Sequence, residues 1–131
     1  MSNPAKQKGT AFETLITNFL LRNGFPRVFR PALTGSGDVG DINGAGKSTP
    51  SGFKHVIFQC KNQKTFKLGQ WMVATKDQAE RKGNSQPVDA PPAVPILVVK
   101  RPGMGANNVG KNYGILELED LAQLLLEAGY S

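Results

Sequence analysis

The sequence predicts a single α/β domain in which helices flank a mixed central sheet. Its 131 residues fit one domain, because single domains commonly contain roughly 100–150 residues. Helical and strand-like apolar patterns follow one another in the order α-β-β-β-α-β-β-α, which is typical of an α/β sandwich. We expect residues 1–9, which carry lysines and no apolar segment, to form a flexible basic arm.

Three segments have helical patterns. Thr10-Ala-Phe-Glu13 has the form of a capping box, and apolar residues then recur at helical spacing, so the first helix is predicted over about residues 10–23. A second amphipathic helix is predicted from Leu68 to a stop at Gly83, and a Leu-rich helix closes at Gly129.

Five segments have strand patterns, separated by Gly- and Pro-rich connections. Residues 54–61 give the strongest signal, with side chains alternating so that Phe58 and Cys60 face the core. Gln59 and Lys61 share the opposite face, which we expect to lead into a polar region. Three of the other predicted strands are Arg27–Pro31, Val94–Val99 and Tyr113–Leu118. The remaining strand begins near Asp41 and leads to a hairpin connection at Lys47–Gly52.

The charge of the chain favours an acidic partner such as nucleic acid. The net charge is +6 and the pI is about 9.7. Residues 112–131 hold four acids and no base, so residues 1–111 carry all 16 bases against six acids. One cysteine and one histidine exclude an intrachain disulfide and a Cys- or His-cluster zinc site. A metal ion would therefore need oxygen ligands.

Two other partner classes are not expected. No apolar run approaches the roughly 18 residues of a membrane span, and no signal-like segment begins the chain, so we expect a cytoplasmic protein. Gly35–Gly40 matches a dinucleotide-binding pattern, but no helix pattern follows it. Gly46-Lys-Ser48 imitates a phosphate loop whose first glycine is replaced by Asp41, so no nucleotide cofactor is predicted.

Four polar residues form a pattern suited to phosphodiester hydrolysis, which needs oxygen ligands for a divalent ion and a cation for developing charge. Glu13 lies in the first predicted helix and Asp41 follows a glycine-rich loop, while Gln59 and Lys61 share a strand face. If the strands from Asp41 and from His55 pair as a hairpin, Asp41 lies beside Gln59. The first helix, packed on the sheet, can then deliver Glu13 to one cluster.

These residues resemble the PD-(D/E)XK nuclease superfamily, and within it the archaeal and phage-type Holliday junction resolvases. Arg30–Ile42, Gln59–Asn62 and Val99–Gly103 stand in the same order as in such resolvases, over roughly residues 9–103. The resemblance implies a restriction-endonuclease-like αβββαβ core. It also implies a Mg2+- or Mn2+-dependent homodimer that nicks opposed strands of four-way DNA junctions during recombination, in the host cytoplasm if the protein is phage-encoded.

The resemblance also implies roles for individual residues. Glu13 would hold the metal directly or through water, and Asp41 would be the central ligand. Gln59 would contribute its side-chain carbonyl and Cys60 its backbone carbonyl. Lys61 would orient the attacking water and stabilise charge in the transition state. Asp38 is a candidate accessory ligand, and the predicted DNA contacts are Ser36, Arg30, Lys64, Lys67, Lys76, Arg81 and Lys82.

Gln59 departs from the family pattern, which more often has a carboxylate at this position. A neutral amide still offers an oxygen, but the lost charge should weaken ion binding and favour Mn2+ over Mg2+. The site either tolerates this change or has been inactivated by it. Two alternatives therefore stay open: an inactive junction- or DNA-binding module, and a related nuclease acting on flaps or nicked duplexes.

Each residue of the pattern also has a structural interpretation. Glu13 is the third residue of the predicted capping box, Asp41 beside glycine is typical of a turn, and a lysine on a strand is commonly solvated. The leucine stripe Leu121, Leu124 and Leu125 is explained equally by dimerisation and by packing within the chain. Order and spacing together favour the catalytic interpretation.

Overall fold

A computed structural model of the chain describes residues 3–32, 38 and 40–131. In this part of the chain, three α-helices flank a four-stranded mixed sheet, and a short 3-10 helix covers Ala106–Lys111. The helices are α1 (Pro4–Arg22), α2 (Leu68–Asn84) and α3 (Leu118–Glu127), and the strands are β1 (Ile42–Thr49), β2 (Gly52–Lys61), β3 (Val94–Val99) and β4 (Tyr113–Ile115).

The sheet has the strand order β1-β2-β3-β4. The β1–β2 and β3–β4 pairs are antiparallel, whereas β2 and β3 are parallel and are joined through α2. A parallel pair needs such a crossover because both strands must begin at the same edge of the sheet. The predicted α/β class with a mixed sheet is confirmed, and the arrangement is consistent with an αβββαβ core.

Helix α1 begins earlier than the sequence predicted. Asn3 caps it by accepting a hydrogen bond from the Ala5 N–H at 3.0 Å, and Pro4 occupies the first helical position. The predicted start at Thr10 was therefore wrong, as was the capping-box interpretation of Glu13, which lies inside the helix. Residues 4–9, assigned to a flexible arm, are helical because Asn-Pro provides a better start than Thr10.

The predicted strand Arg27–Pro31 is reduced to one bridge between Phe29 and Asn43. Pro31 has no N–H, and Pro26 precedes the segment, so a continuous ladder cannot form there. The β1–β2 hairpin is tighter than expected, because Thr49 already pairs with Gly52. Its register pairs Ile42 with Phe58, which places Asp41 beside Gln59 as predicted.

The sheet is buried on both faces. On the α1 side, Phe12 and Ile16 pack with Phe58, so the prediction that Phe58 faces the core is confirmed. On the α2 side, Trp71 packs with Leu97 and Val99. The expectation that the Gln59 face leads only into a polar region was incomplete, because the α2 crossover covers it and leaves Ile57 0% exposed.

Helix α3 lies on the surface and has no buried residue. Its Glu127 carboxylate pairs with Lys54 at 2.7 Å and with Lys47 at 3.3 Å, which ties its C-terminal end to the β1–β2 hairpin. Leu121 and Leu125 are 41% and 43% exposed, so the other described residues leave these two members of the stripe largely uncovered, whereas Leu124 is partly buried. No helix in the described part of the chain combines the length and hydropathy of a membrane span.

Candidate active site

The hairpin fixes Asp41 at the edge of the sheet, directly before β1. Its N–H donates to the Phe58 carbonyl at 2.8 Å, and its carboxylate accepts a hydrogen bond from the Cys60 N–H at 2.7 Å. Gly40, directly before Asp41, has a φ of +99°. A Cβ atom on Gly40 would lie 3.3 Å from the Ile57 side chain and from the Phe58 carbonyl oxygen. A glycine before Asp41 thus allows the close approach of the loop to β2.

Helix α1 brings the Glu13 side chain near the Asp41 carboxyl group, closely enough for Glu13 to raise the pKa of Asp41. The Glu13 side chain is 20% exposed and lies 3.7 Å from the Arg30 guanidinium. Arg30 also donates to the Thr14 hydroxyl at 3.2 Å. Of the four residues predicted to form one cluster, Glu13 and Asp41 are therefore close together, and Arg30, predicted as a DNA contact, lies against Glu13.

The surroundings of Asp41 favour its protonated form. Burial raises the pKa of Asp41 to about 7, and the negative charges of Glu13 and Asp38 act in the same direction. The hydrogen bond from the Cys60 N–H opposes this rise in pKa without overcoming it. The pKa of Asp41 therefore lies well above the ordinary range of an aspartate.

Gln59 presents a buried oxygen that lacks a hydrogen bond. The residue is 8% exposed, and among the described residues its Oε1 atom has no hydrogen-bond partner. Leaving a buried acceptor unpaired costs about 1–3 kcal/mol, so such an atom calls for a specific explanation. Coordination of a cation by Oε1 would explain it, because amide carbonyls are suitable ligands for hard divalent ions.

Cys60 and Lys61 follow on the same strand. Burial, together with the charges of Asp41 and Glu13, raises the pKa of the Cys60 thiol, so the side chain remains a neutral thiol packed against the core. The Lys61 ammonium lies 6.0 Å from the centre of the Trp71 ring. This contact keeps the cation at the end of β2 without an acidic partner among the described residues.

The candidate site suits a hard divalent ion only if carboxylate oxygens and neutral carbonyl oxygens bind the ion together. In the described part of the chain, no three Asp, Glu, His or Cys side chains gather closely enough to hold an ion by themselves. Glu13 and Asp41 supply two carboxylates, so further ligands would have to be neutral oxygens such as the Gln59 amide or the Cys60 backbone carbonyl. The residues fit Mg2+ or Mn2+ on this condition.

Helix α2 holds the turn before Asp41 through contacts that the sequence analysis did not predict. Gln78, 5% exposed, donates to the Asp38 carboxylate at 2.9 Å, and Arg81 donates to the Asp38 backbone carbonyl at 3.1 Å. The other Asp38 carboxylate oxygen accepts the Gly40 N–H at 2.9 Å. Gln78 lies at helical spacing from the buried Trp71. A polar residue within an apolar stripe is the sequence feature that could have identified Gln78 as a contact of the site.

The other basic residues predicted to contact DNA lie in different surroundings. Lys64 lines a cleft of about 420 Å³ with Lys8 and Lys61, whereas Lys76 pairs with Glu117 at 3.0 Å. Arg81 contacts Asp38, as described above. Lys67 is exposed and directly precedes α2 without a capping hydrogen bond from its side chain, Lys82 lines a separate cleft beside β1, and Ser36 lies outside the described residues.

A cleft of about 580 Å³ is lined by none of the four candidate catalytic residues Glu13, Asp41, Gln59 and Lys61, although Lys76 forms part of it. It is formed by α2, the Pro-rich segment 85–93 and the start of α3, and its lining includes Glu117, Glu119 and Asp120. Acidic side chains at this position would repel a nucleic acid. Comparison of the chain with protein-family models, with curated proteins and with solved structures found no match.

Proposed function

We propose that the protein is a divalent-ion-dependent DNA endonuclease that resolves four-way junctions. The observation that carries this proposal is the buried Asp41 carboxyl group, held by the Cys60 N–H and approached by Glu13, beside a strand with an unpaired Gln59 amide oxygen. The choice of a four-way junction as the substrate rests on the resemblance of the motif order to that of junction resolvases. Mg2+ or Mn2+ is the proposed cofactor.

Glu13 and Asp41 would hold the ion, and Gln59 and the Cys60 carbonyl would complete its oxygen ligands. When bound, the ion would polarise the scissile phosphate and lower the pKa of a water molecule. Ion binding requires Asp41 in its charged form, so a proton on this carboxyl group must leave first. The Cys60 N–H fixes the orientation of the Asp41 carboxylate throughout.

Lys61 would act on the substrate side of the site. Its ammonium lies at the end of β2, two residues after Gln59 and therefore on the same strand face. From this position it would orient the attacking water and offset the charge that develops on the phosphate. The Trp71 ring supports the cation, which leaves its protons free for these hydrogen bonds.

DNA would approach the end of β2 along a basic surface. The cleft lined by Lys8, Lys61 and Lys64 adjoins Cys60, so backbone phosphates bound there would lie next to the carboxyl pair. Contacts of this kind neutralise phosphates without reading sequence. The surface therefore suits recognition of branched shape rather than of a base sequence.

Symmetric cutting of a junction needs two active sites, so a homodimer is part of the proposal. The half-exposed Leu121 and Leu125 on α3, which no other part of the described chain buries, support such an interface. Sedimentation of the wild type and of a Leu121→Lys, Leu125→Lys variant tests it. The expected result is a dimer that the double substitution converts to a monomer.

A second candidate function rests on the neutral Gln59. With an amide where the resemblance leads one to expect a carboxylate, the protein could bind junctions without cutting them. The wild type separates the two functions, and the Gln59→Glu variant, which introduces a negative charge at the same position, shows whether Gln59 is what prevents cutting. Only the nuclease proposal predicts metal-dependent cutting.

The decisive experiment is cleavage of a synthetic four-way junction across a series of Mg2+ and Mn2+ concentrations. We expect paired nicks with the wild type, stronger activity in Mn2+, and a shift toward Mg2+ in Gln59→Glu. Asp41→Asn is the inactive control. If neither the wild type nor Gln59→Glu cuts the junction while both still bind it, the protein is a junction-binding module and the nuclease proposal fails. Flap and nicked-duplex substrates, tested in parallel, distinguish a nuclease with a different preference.

A further inference from the structure

A second concave surface lies at the open edge of the sheet, beside β1 and on the side of α2. We name it the aromatic cleft. It has a volume of about 290 Å³ and is lined by Arg27, Phe29, Gly44, Phe53, His55 and Lys82. None of these residues belongs to the carboxyl pair or to the Gln59–Lys61 strand end.

The rings of the cleft are held by the backbone around them. Phe53 and His55 lie with ring centres 4.7 Å apart, and a Cβ on Gly46 would come within 2.4 Å of the Phe53 ring. The ring of Phe53 therefore rests directly on the glycine backbone of β1. Phe29 is bridged through its backbone to Asn43 but keeps half of its surface exposed. An aromatic face is thus available to a ligand.

The charges around the cleft have one sign. Arg27 and Lys82 are its charged lining residues, and neither has an acidic partner in the described part of the chain. Lys47, in the adjoining cleft, is paired with Glu127 and adds no free charge. Exposed aromatic rings beside unpaired cations suit a planar ligand that carries negative charge, as a nucleobase with its phosphates does.

The edge of β1 is a poor partner for another protein strand. Beyond the Phe29–Asn43 bridge, no described strand pairs with it, but its register is irregular between Ile42 and Ala45. Gly44 has φ +96, a left-handed conformation that bends the edge. Bulges and bends of this kind hinder strand addition. The cleft therefore favours a stacking ligand over a second copy of the chain.

We propose that the aromatic cleft binds an unpaired nucleobase of a single-stranded nucleic acid. The base stacks on Phe29, and the flanking phosphates lie beside Arg27 and Lys82. This binding goes beyond the proposed cleavage and does not need the metal site. Unpaired bases at a strand branch would supply such a ligand.

The test compares two oligonucleotides of equal length, an oligothymidylate and an abasic chain, by fluorescence anisotropy in EDTA. Stacking contributes about 1–3 kcal/mol per base, so Phe29→Ala should weaken oligothymidylate binding roughly 5- to 150-fold. Binding of the abasic chain should not change, and Phe29→Trp should retain the wild-type affinity for both. Tyr130→Ala removes another exposed aromatic side chain, outside the cleft, and should have no effect.

A Lys82→Gln variant provides a second measurement that leaves the rings intact. It should reduce the slope of log affinity against log salt by about 0.7 on both oligonucleotides, because one phosphate contact is lost. Equal effects of Phe29→Ala on the two oligonucleotides, or none on either, would overturn the proposal. So would a Phe29→Ala variant that dissociates a dimer in sedimentation but binds oligothymidylate normally, which would make the cleft a self-interface.

Discussion

The Glu13 side chain, on the first helix, approaches the Asp41 carboxyl group, at the entry to the first strand, and raises the pKa of Asp41. Two acids close together disfavour the charged form of one another, and burial strengthens this effect. The folded chain thereby holds a proton at Asp41 that an isolated aspartate would have lost well below neutral pH.

The pH dependence of stability should carry the signature of Asp41. Its pKa is raised from 3.8 to about 7, so the folded state binds a proton that the unfolded chain releases near pH 4. The stabilisation from this proton is fully present below 3.8 and is lost as the pH rises through 7, in total roughly 4 kcal/mol. Asp41→Asn, which cannot ionise, should therefore be more stable than wild type at pH 8 in EDTA.

Urea unfolding at several pH values measures this difference. The two proteins should converge in stability as the pH falls below 4, because both then have a neutral side chain at this position. Asp77→Asn, an exposed acid on α2, is the matched control and should follow the wild type at every pH. If the wild type is more stable than Asp41→Asn at pH 8, the raised pKa of the buried Asp41 carboxyl group is contradicted. The same Asp41→Asn variant should lose at least ~100-fold in metal-dependent cleavage.

Gln78 should be needed for the position of Asp38. Its amide donates a charge-assisted hydrogen bond at 2.9 Å, and such bonds contribute about 1.5–3 kcal/mol. Gln78→Leu should lower the free energy of unfolding by this amount and should also reduce cleavage, because the turn that delivers Asp41 is loosened. Gln70→Leu, at an exposed position of the same helix, is the control. Equal stability of the two variants would show that the bond is dispensable.

Glu127 should dock α3 onto the hairpin in a pH-dependent way. Its hydrogen bond with Lys54 lowers its pKa from 4.5 to about 2. The stabilisation is therefore present above 4.5 and is lost as the pH falls through 2. Glu127→Gln should increase amide hydrogen exchange in α3 at pH 7, whereas Glu119→Gln should not. Unchanged exchange in Glu127→Gln would mean that the helix is held by other contacts.

Two glycines should respond in opposite directions to alanine. A Cβ on Gly44 would lie 2.1 Å from the Arg27 carbonyl oxygen, and the residue has φ +96, so Gly44→Ala should destabilise the fold by several kcal/mol. Gly9 is inside α1 with nothing within 4 Å of its Cβ position, so Gly9→Ala should stabilise by about 1 kcal/mol. Thermal unfolding of both variants distinguishes a required glycine from a replaceable one.

The approach of Glu13 to Asp41 was predicted only by assuming that the first helix packs on the sheet. Local patterns in the sequence were sufficient for the α/β class and for the hairpin that brings Asp41 beside Gln59. These features follow from periodicity and from the alternation of side chains along a strand, which depend on near neighbours in the chain. The start of α1 was mispredicted because two competing cap signals, Asn3 and Thr10, lie close together in the sequence.

Only the tertiary structure decided which groups become buried and what they then contact. The proton on Asp41, the unpaired Gln59 oxygen, the hold of Gln78 on Asp38 and the approach of Arg30 to Glu13 all join segments that are distant in the chain. Burial and charge proximity are properties of the packed arrangement, so no local pattern could have given them. The same packing left Phe29 exposed beside Arg27, where the sequence had predicted only a strand.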